Sequence, residues 1–174
     1  VEHAQWLASH AVQGLVVFGS LGEGATLTLS EKRSLLQSWV QAVGHHIPVI
    51  ATVSALSTQE AMQWAQQAVS LGAKGLMILP PYSYRGSHDE IMAHITAILR
   101  VSRVPCMLYN NPAAYGVDIL PEHVAQLTQH HAHLTAVKES SGDVRRIFAI
   151  RALVGARLQI LAGLDDTIVE AVRM

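Results

Sequence analysis

The chain has 174 residues, half of them apolar and 14% charged, with a formal net charge of -1. That length buries a core for one or two domains, and the near-neutral balance leaves no electrostatic footprint for nucleic acid. The apolar runs are strand-sized, no charged-then-apolar leader opens the chain, and a lone cysteine, Cys106, excludes disulfide scaffolds and cysteine zinc sites; a protein with no membrane contact, in the cytoplasm, is expected.

In chain order, residues 2–10 read as part of a helix and GLVVFG (14–19) as a buried strand. Ser30 is the predicted cap of a helix running to Val43, and PVIATV (48–53) is the next strand. STQE (57–60) has the form of a capping box, in which hydroxyl and carboxylate satisfy each other's backbone N–H, and opens a helix to Leu71. GLMIL (75–79) is a strand; Pro80, Pro81 and two tyrosines form a loop, and a helix follows over 88–102. PCMLY (105–109) is strand, Pro121 starts a helix to His130, and LTAVK (134–138) is strand. Residues 144–154 are helix, LQILA (158–162) is strand, and Thr167 begins a last helix.

Six strands, each followed by a helix, repeat at the period of a βαβ unit, and continuous apolar runs suit a parallel sheet buried on both faces. A Rossmann fingerprint is excluded, because Gly19, Gly22 and Gly24 are in the wrong order and no acidic residue ends the strand at Val53. Chemically capable side chains gather at the C-terminal ends of several strands instead. The expected fold is therefore an α/β TIM (β/α)8 barrel, of which the chain covers about six central βα units. Residues 1–174 are read as one barrel domain, incomplete at both ends, since two unpaired apolar edges are an aggregation hazard.

That fold sorts the three lysines. Lys32 lies in the first turn of a helix and is expected in solvent; Lys74 precedes a strand, on the stability face. Only Lys138 ends a strand at the face where barrel active sites are built. Desolvation there disfavours the ammonium, the condition an amine needs to attack a carbonyl. An ion pair with Glu139 or Asp143 is the alternative, and position alone leaves the two readings level. Tyr109 ends the preceding strand, so a phenol able to shuttle protons stands at the same mouth.

The segments GSLGEGATLTLSEKR (19–33), LYNNPAAYGVDI (108–119), VKESSGD (137–143) and AGLDD (162–166) resemble the dihydrodipicolinate synthase / N-acetylneuraminate lyase family along essentially the whole chain. The resemblance implies a class I, Schiff-base-forming lyase on pyruvate or a related 2-oxo acid, with no cofactor and no metal, in a dimer or tetramer of identical chains. Lys138 is then the imine lysine and Tyr109 the proton relay. The Ser20–Leu21–Gly22 backbone would hold the substrate carboxylate, as N–H groups at a strand-to-loop turn do. The Ser20 hydroxyl would contact Tyr109, and Gly163 would admit the substrate.

Departures from the family narrow the reading. Members making the lysine precursor carry an arginine where this chain has Ala114, and a methyl cannot replace a bidentate guanidinium. Leu21 stands for a threonine, and Ser83 for a tyrosine lent across an interface, with Tyr84 beside it as a substitute. YNNP with Tyr115, KESSGD-x-RR and AGLDD look most like the branch removing ammonia from 1-pyrroline-4-hydroxy-2-carboxylate, followed by 2-keto-3-deoxy sugar acid dehydratases. Alternatives are 4-hydroxy-tetrahydrodipicolinate synthase, an N-acetylneuraminate-type aldolase, and a non-catalytic 2-oxo acid binding barrel.

Other features receive plainer readings. His130, His131 and His133, like His45 and His46, lie at turns opposite the chemistry and suit helix C-termini. Asp165 and Asp166 serve a helix start at Thr167, Glu23 holds its loop, Cys106 is a core thiol, and Trp6, Trp39 and Trp64 pack helices.

Overall fold

The computed structural model describes residues 1–174. Six strands, β1 (Leu15–Val17), β2 (Val49–Val53), β3 (Gly75–Ile78), β4 (Cys106–Asn110), β5 (Leu134–Glu139) and β6 (Gln159–Ala162), form one sheet in chain order. Every neighbouring pair is parallel. Helices α1 (Glu2–Ala8), α2 (Leu29–Val43), α3 (Thr58–Ser70), α4 (His88–Val101), α5 (Pro112–Tyr115), α6 (Pro121–His130), α7 (Arg145–Val154) and α8 (Ile168–Val172) lie between and beside them. None is long and apolar enough to cross a membrane.

Strand alternation divides the sheet into two faces. On the helix side, Val49, Ala51, Leu76, Ile78, Leu108 and Val137 belong to a 29-residue core that also takes the apolar stripes of α3, α4 and α6. On the concave side, Met77, Leu79 and Tyr109 form a separate buried group, with Ile50, Met107 and Tyr115 packed on it. This inner layer is the floor beneath the C-terminal mouth. Trp64 of α3 donates its indole N–H to the Thr52 carbonyl at 3.0 Å, tying a helix to the end of β2.

One irregularity decides which way β5 points its lysine. Cys106 pairs with Leu134 but Met107 pairs with Ala136, so Thr135 is an extra residue in β5. Such a bulge sets two residues against one and shifts the alternation downstream. Thr135 and Ala136 both line the concave side, and Lys138 comes level with Tyr109.

Helix starts follow the expected chemistry with three changes. Thr28, not Ser30, caps α2: its hydroxyl accepts from the Glu31 N–H at 3.3 Å and the Glu31 carboxylate accepts from the Thr28 N–H at 2.8 Å. This reciprocal pair needs the carboxylate three residues after the cap, which Ser30 lacks. Ser57 caps α3 through the Glu60 N–H at 3.2 Å, while Glu60 takes the Ser57 hydroxyl rather than its N–H. Thr167 caps nothing with its side chain. Residues Asp165–Thr167 form a 3-10 turn, and the Thr167 hydroxyl donates back to Leu164.

Candidate active site

The loop after β1 is shaped by its backbone. Phe18 and Glu23 flank it with positive φ of 64° and 54°, and the N–H groups of Gly22 and Gly24 both return to the Gly19 carbonyl, at 3.0 and 3.2 Å. A Cβ on Gly24 would lie 2.0 Å from the Phe18 carbonyl oxygen, so only glycine fits. The curl lifts Ser20 and Leu21 onto the rim, where the Leu21 side chain is wholly exposed.

The end of β4 supplies the phenol and the end of β5 the amine. Tyr109 pairs with Lys138 in the sheet register, and the Lys138 Nζ lies 4.6 Å from the centre of the Tyr109 ring. An ammonium over a π face is attracted by the ring quadrupole. Lys138 has no carboxylate partner. Asp143 is engaged by Arg145 at 2.7 and 2.8 Å, and Glu139 accepts from the Ser141 N–H at 2.7 Å and from Asn110 Nδ2 at 3.1 Å. Both residues that offered the ion-pair reading are thus turned away from the lysine.

The Ser20 hydroxyl reaches a tyrosine, but a different one from that expected. It shares a short hydrogen bond with the Tyr115 hydroxyl, while the Tyr109 hydroxyl accepts from Asn111 Nδ2 at 2.9 Å. The reason is α5, whose four residues carry Tyr115 back over the mouth. Asn111 caps this helix through the Ala114 N–H at 3.1 Å, and Gly116 closes it in the left-handed conformation. Tyr115 meets the Tyr109 ring edge-on at 5.8 Å, so the two phenols and Ser20 form one group beside Lys138.

At the last residues of β4 and β5 runs a polar ladder. Asn110 accepts from the Ile119 N–H at 2.9 Å and donates to both Glu139 and Asp118. Asp118 takes both ends of the Arg146 guanidinium at 2.6 and 2.7 Å. The hydrogen bonds from Arg146 hold the Asp118 carboxyl below its ordinary range, and the same pair raises Arg146. The ends of β4 and β5 are thereby fixed to each other and to α7. None of Asn110, Asp118 and Arg146 was assigned a role from sequence, although all three lie inside the segments LYNNPAAYGVDI and KESSGD-x-RR that carry the family resemblance.

The remaining residues take the following places. Gly163 is required by the protein: a Cβ there would stand 1.8 Å from the buried Ser140 hydroxyl, and its N–H donates to the Glu139 carbonyl at 2.8 Å. Glu23 is exposed and its side chain makes no hydrogen bond, so backbone geometry holds the loop. Lys32 is half-buried, and desolvation lowers its pKa; it lines a cavity of about 240 Å³ with Leu29, Glu60, Trp64 and Tyr82. Trp6 is exposed and stacks on His3 instead of packing inward. Ala114 and Tyr84 line a cavity of about 410 Å³ beside the mouth, together with Ser83, Arg85 and Tyr115. Cys106 lies in the core, where burial pushes its thiol up to about 11.

Comparison with known proteins gives a consistent result. A model of the dihydrodipicolinate synthetase family matches residues 2–174. A 4-hydroxy-tetrahydrodipicolinate synthase of Stenotrophomonas maltophilia is 38% identical over 163 residues, covering 93% of this chain and 54% of the relative. Its counterpart in Alkaliphilus oremlandii is 35% identical over 157 residues, covering 90% of this chain and 54% of the relative. A crystal structure of the synthase from Cyanidioschyzon merolae, with lysine bound, superposes at a TM-score of 0.95 with 30% identity, covering 99% of this chain and 58% of that one. The chain therefore spans about half the length of the curated relatives it matches, and its six strands are an arc of their barrel.

Proposed function

The chain belongs to the dihydrodipicolinate synthetase family, and from that premise we propose that the protein is a Schiff-base-forming lyase acting on a pyruvate-like 2-oxo acid through Lys138. The observation that carries the proposal is the placement of Lys138: an amine without a carboxylate partner, level with Tyr109 in the sheet and over its ring at 4.6 Å.

The chemistry follows from what such an amine does. Nζ attacks the C2 carbonyl, a proton moves from nitrogen to oxygen, and loss of water leaves an iminium that draws electrons from C3. Tyr109 is the phenol beside the amine, and the Tyr115–Ser20 pair provides a second route for protons at the rim. Backbone N–H groups around Ser20 and Leu21 suit the substrate's C1 carboxylate. Ala114 leaves no guanidinium at its own position for a second carboxylate. The finer reading, supported by YNNP with Tyr115, KESSGD-x-RR and AGLDD, is dehydration or deamination of a hydroxylated 2-oxo or cyclic imino acid. In that reaction the enamine formed by removing a C3 proton expels the C4 hydroxyl. The second reading, 4-hydroxy-tetrahydrodipicolinate synthase, is favoured by the names of the relatives.

Borohydride reduction of the full-length protein with pyruvate, followed by peptide mass spectrometry, tests the imine. A reduced adduct on Lys138 that disappears in Lys138→Ala is the expected result. Pyruvate binding without any adduct would leave a non-catalytic 2-oxo acid binding barrel as the correct description. Turnover of 1-pyrroline-4-hydroxy-2-carboxylate or of 2-keto-3-deoxy sugar acids, set against condensation of pyruvate with aspartate semialdehyde, then separates the two finer readings.

A further inference from the structure

The cavity beside the mouth has one charged wall. Of its nine lining residues, Arg85 alone carries a charge, and none is acidic. Arg85 makes no ion pair and no side-chain hydrogen bond, and it is exposed. Its guanidinium nevertheless has a defined seat, against the bare backbone of Gly116: a Cβ there would be 3.4 Å from Arg85 Nε and 3.6 Å from Nη2. Ala113 and Ala114 line the same cavity with small side chains. The cavity also shares Tyr115 with the catalytic group, and that ring touches Tyr109, which faces Lys138.

An unpaired guanidinium fork in an acid-free cavity is built for a carboxylate, since its parallel N–H groups match the two oxygens. We propose that Arg85 is a specificity-determining residue that binds the distal carboxylate of a dianionic 2-oxo acid whose C2 carbonyl is held at Lys138. The site then has two anion-binding ends, the backbone turn at Ser20–Leu21 for the carboxylate next to the carbonyl and Arg85 for the far one. Arg85 reaches the place beside Ala114 from the loop after β3, by a different strand and a different backbone path.

This proposal rests on the imine reading, and the experiment keeps their failures apart. In the full-length protein, borohydride trapping at Lys138 is titrated with pyruvate and with 2-oxoglutarate, a five-carbon 2-oxo diacid. Arg85→Ala is expected to raise the half-saturating concentration of 2-oxoglutarate by about tenfold to a hundredfold, the range of one charge-assisted contact, and to leave that of pyruvate unchanged. Arg85→Lys, keeping the charge without the fork, falls between. An equal rise for both acids, or no rise for either, overturns the proposal. Should neither acid form an adduct with the unsubstituted protein, the imine reading fails, and titration calorimetry with glutarate tests Arg85 independently. Glutarate binding lost in Arg85→Ala supports the carboxylate site, and equal binding by the two proteins overturns it.

Discussion

At the scale of single residues, the site separates into groups that act and groups that hold. Tyr109 and Tyr115 have different partners, Asn111 for the first and Ser20 for the second, so their hydroxyls are separable by substitution. Tyr115→Phe keeps the ring on Tyr109 and removes only the bond to Ser20. In the lyase reaction it is expected to lower kcat by about a hundredfold, the lower part of the range for a positioned acid or base, with the melting temperature unmoved. Stopped-flow turnover beside a thermal melt checks this, and an unchanged kcat would assign the Ser20 bond to loop placement alone. The lysine and its phenol were legible in the sequence because both end apolar runs. The Ser20–Tyr115 contact was not, because it joins positions 95 apart through two loop conformations that no period describes. Arg146 and Asp118, 28 apart, were hidden for the same reason.

At the scale of elements, the strands and long helices were legible because each carries its own period. The four-residue α5 has none, and Pro-Ala-Ala-Tyr reads as loop. More instructive is β5. Strict alternation from Leu134, which faces the helices, puts Lys138 on the same helix face. The bulge at Thr135 reverses that, a tertiary adjustment invisible to a pattern of two.

Helix pairing gives a pH prediction. His94 of α4 is buried, with Nδ1 2.9 Å from the Thr58 hydroxyl of α3, and burial lowers its pKa from the ordinary 6.5. Because the folded value lies below the unfolded one, the unfolded chain binds more protons in the window between them. Stability from this group is complete above about pH 6.5 and is lost as the pH falls toward the folded value. His123 and His131 are shifted the same way, chiefly by desolvation, and add to the slope. Urea midpoints measured from pH 7.5 to 5 should fall, and fall less steeply in His94→Gln; identical slopes would remove His94 from the account.

At the scale of the whole molecule, the sheet has two open sides. The outer edge of β1 and that of β6 pair with no other strand, and the inward-facing Val16 and Leu161 are 45% and 41% exposed. They flank a cavity of about 640 Å³ lined largely by apolar side chains. Unpaired apolar edges template association with another chain. Prepared as these 174 residues, the polypeptide is expected to self-associate in size-exclusion chromatography with light scattering, and Val16→Lys should reduce the effect. A monodisperse monomer of the unsubstituted polypeptide would contradict it.

The strand order has a temporal consequence. Among these six strands each pairs with its neighbours in sequence, so pairing within the set does not wait for a distant segment. Contacts between adjacent units close loops of similar length, so no single closure carries an outsized entropy cost. These six strands can therefore assemble in chain order as the polypeptide leaves the ribosome, each βα unit docking on the last. In that order the curl that holds Ser20 forms early and Lys138 enters late. Lys138 then arrives at a mouth whose Ser20 rim is already in place.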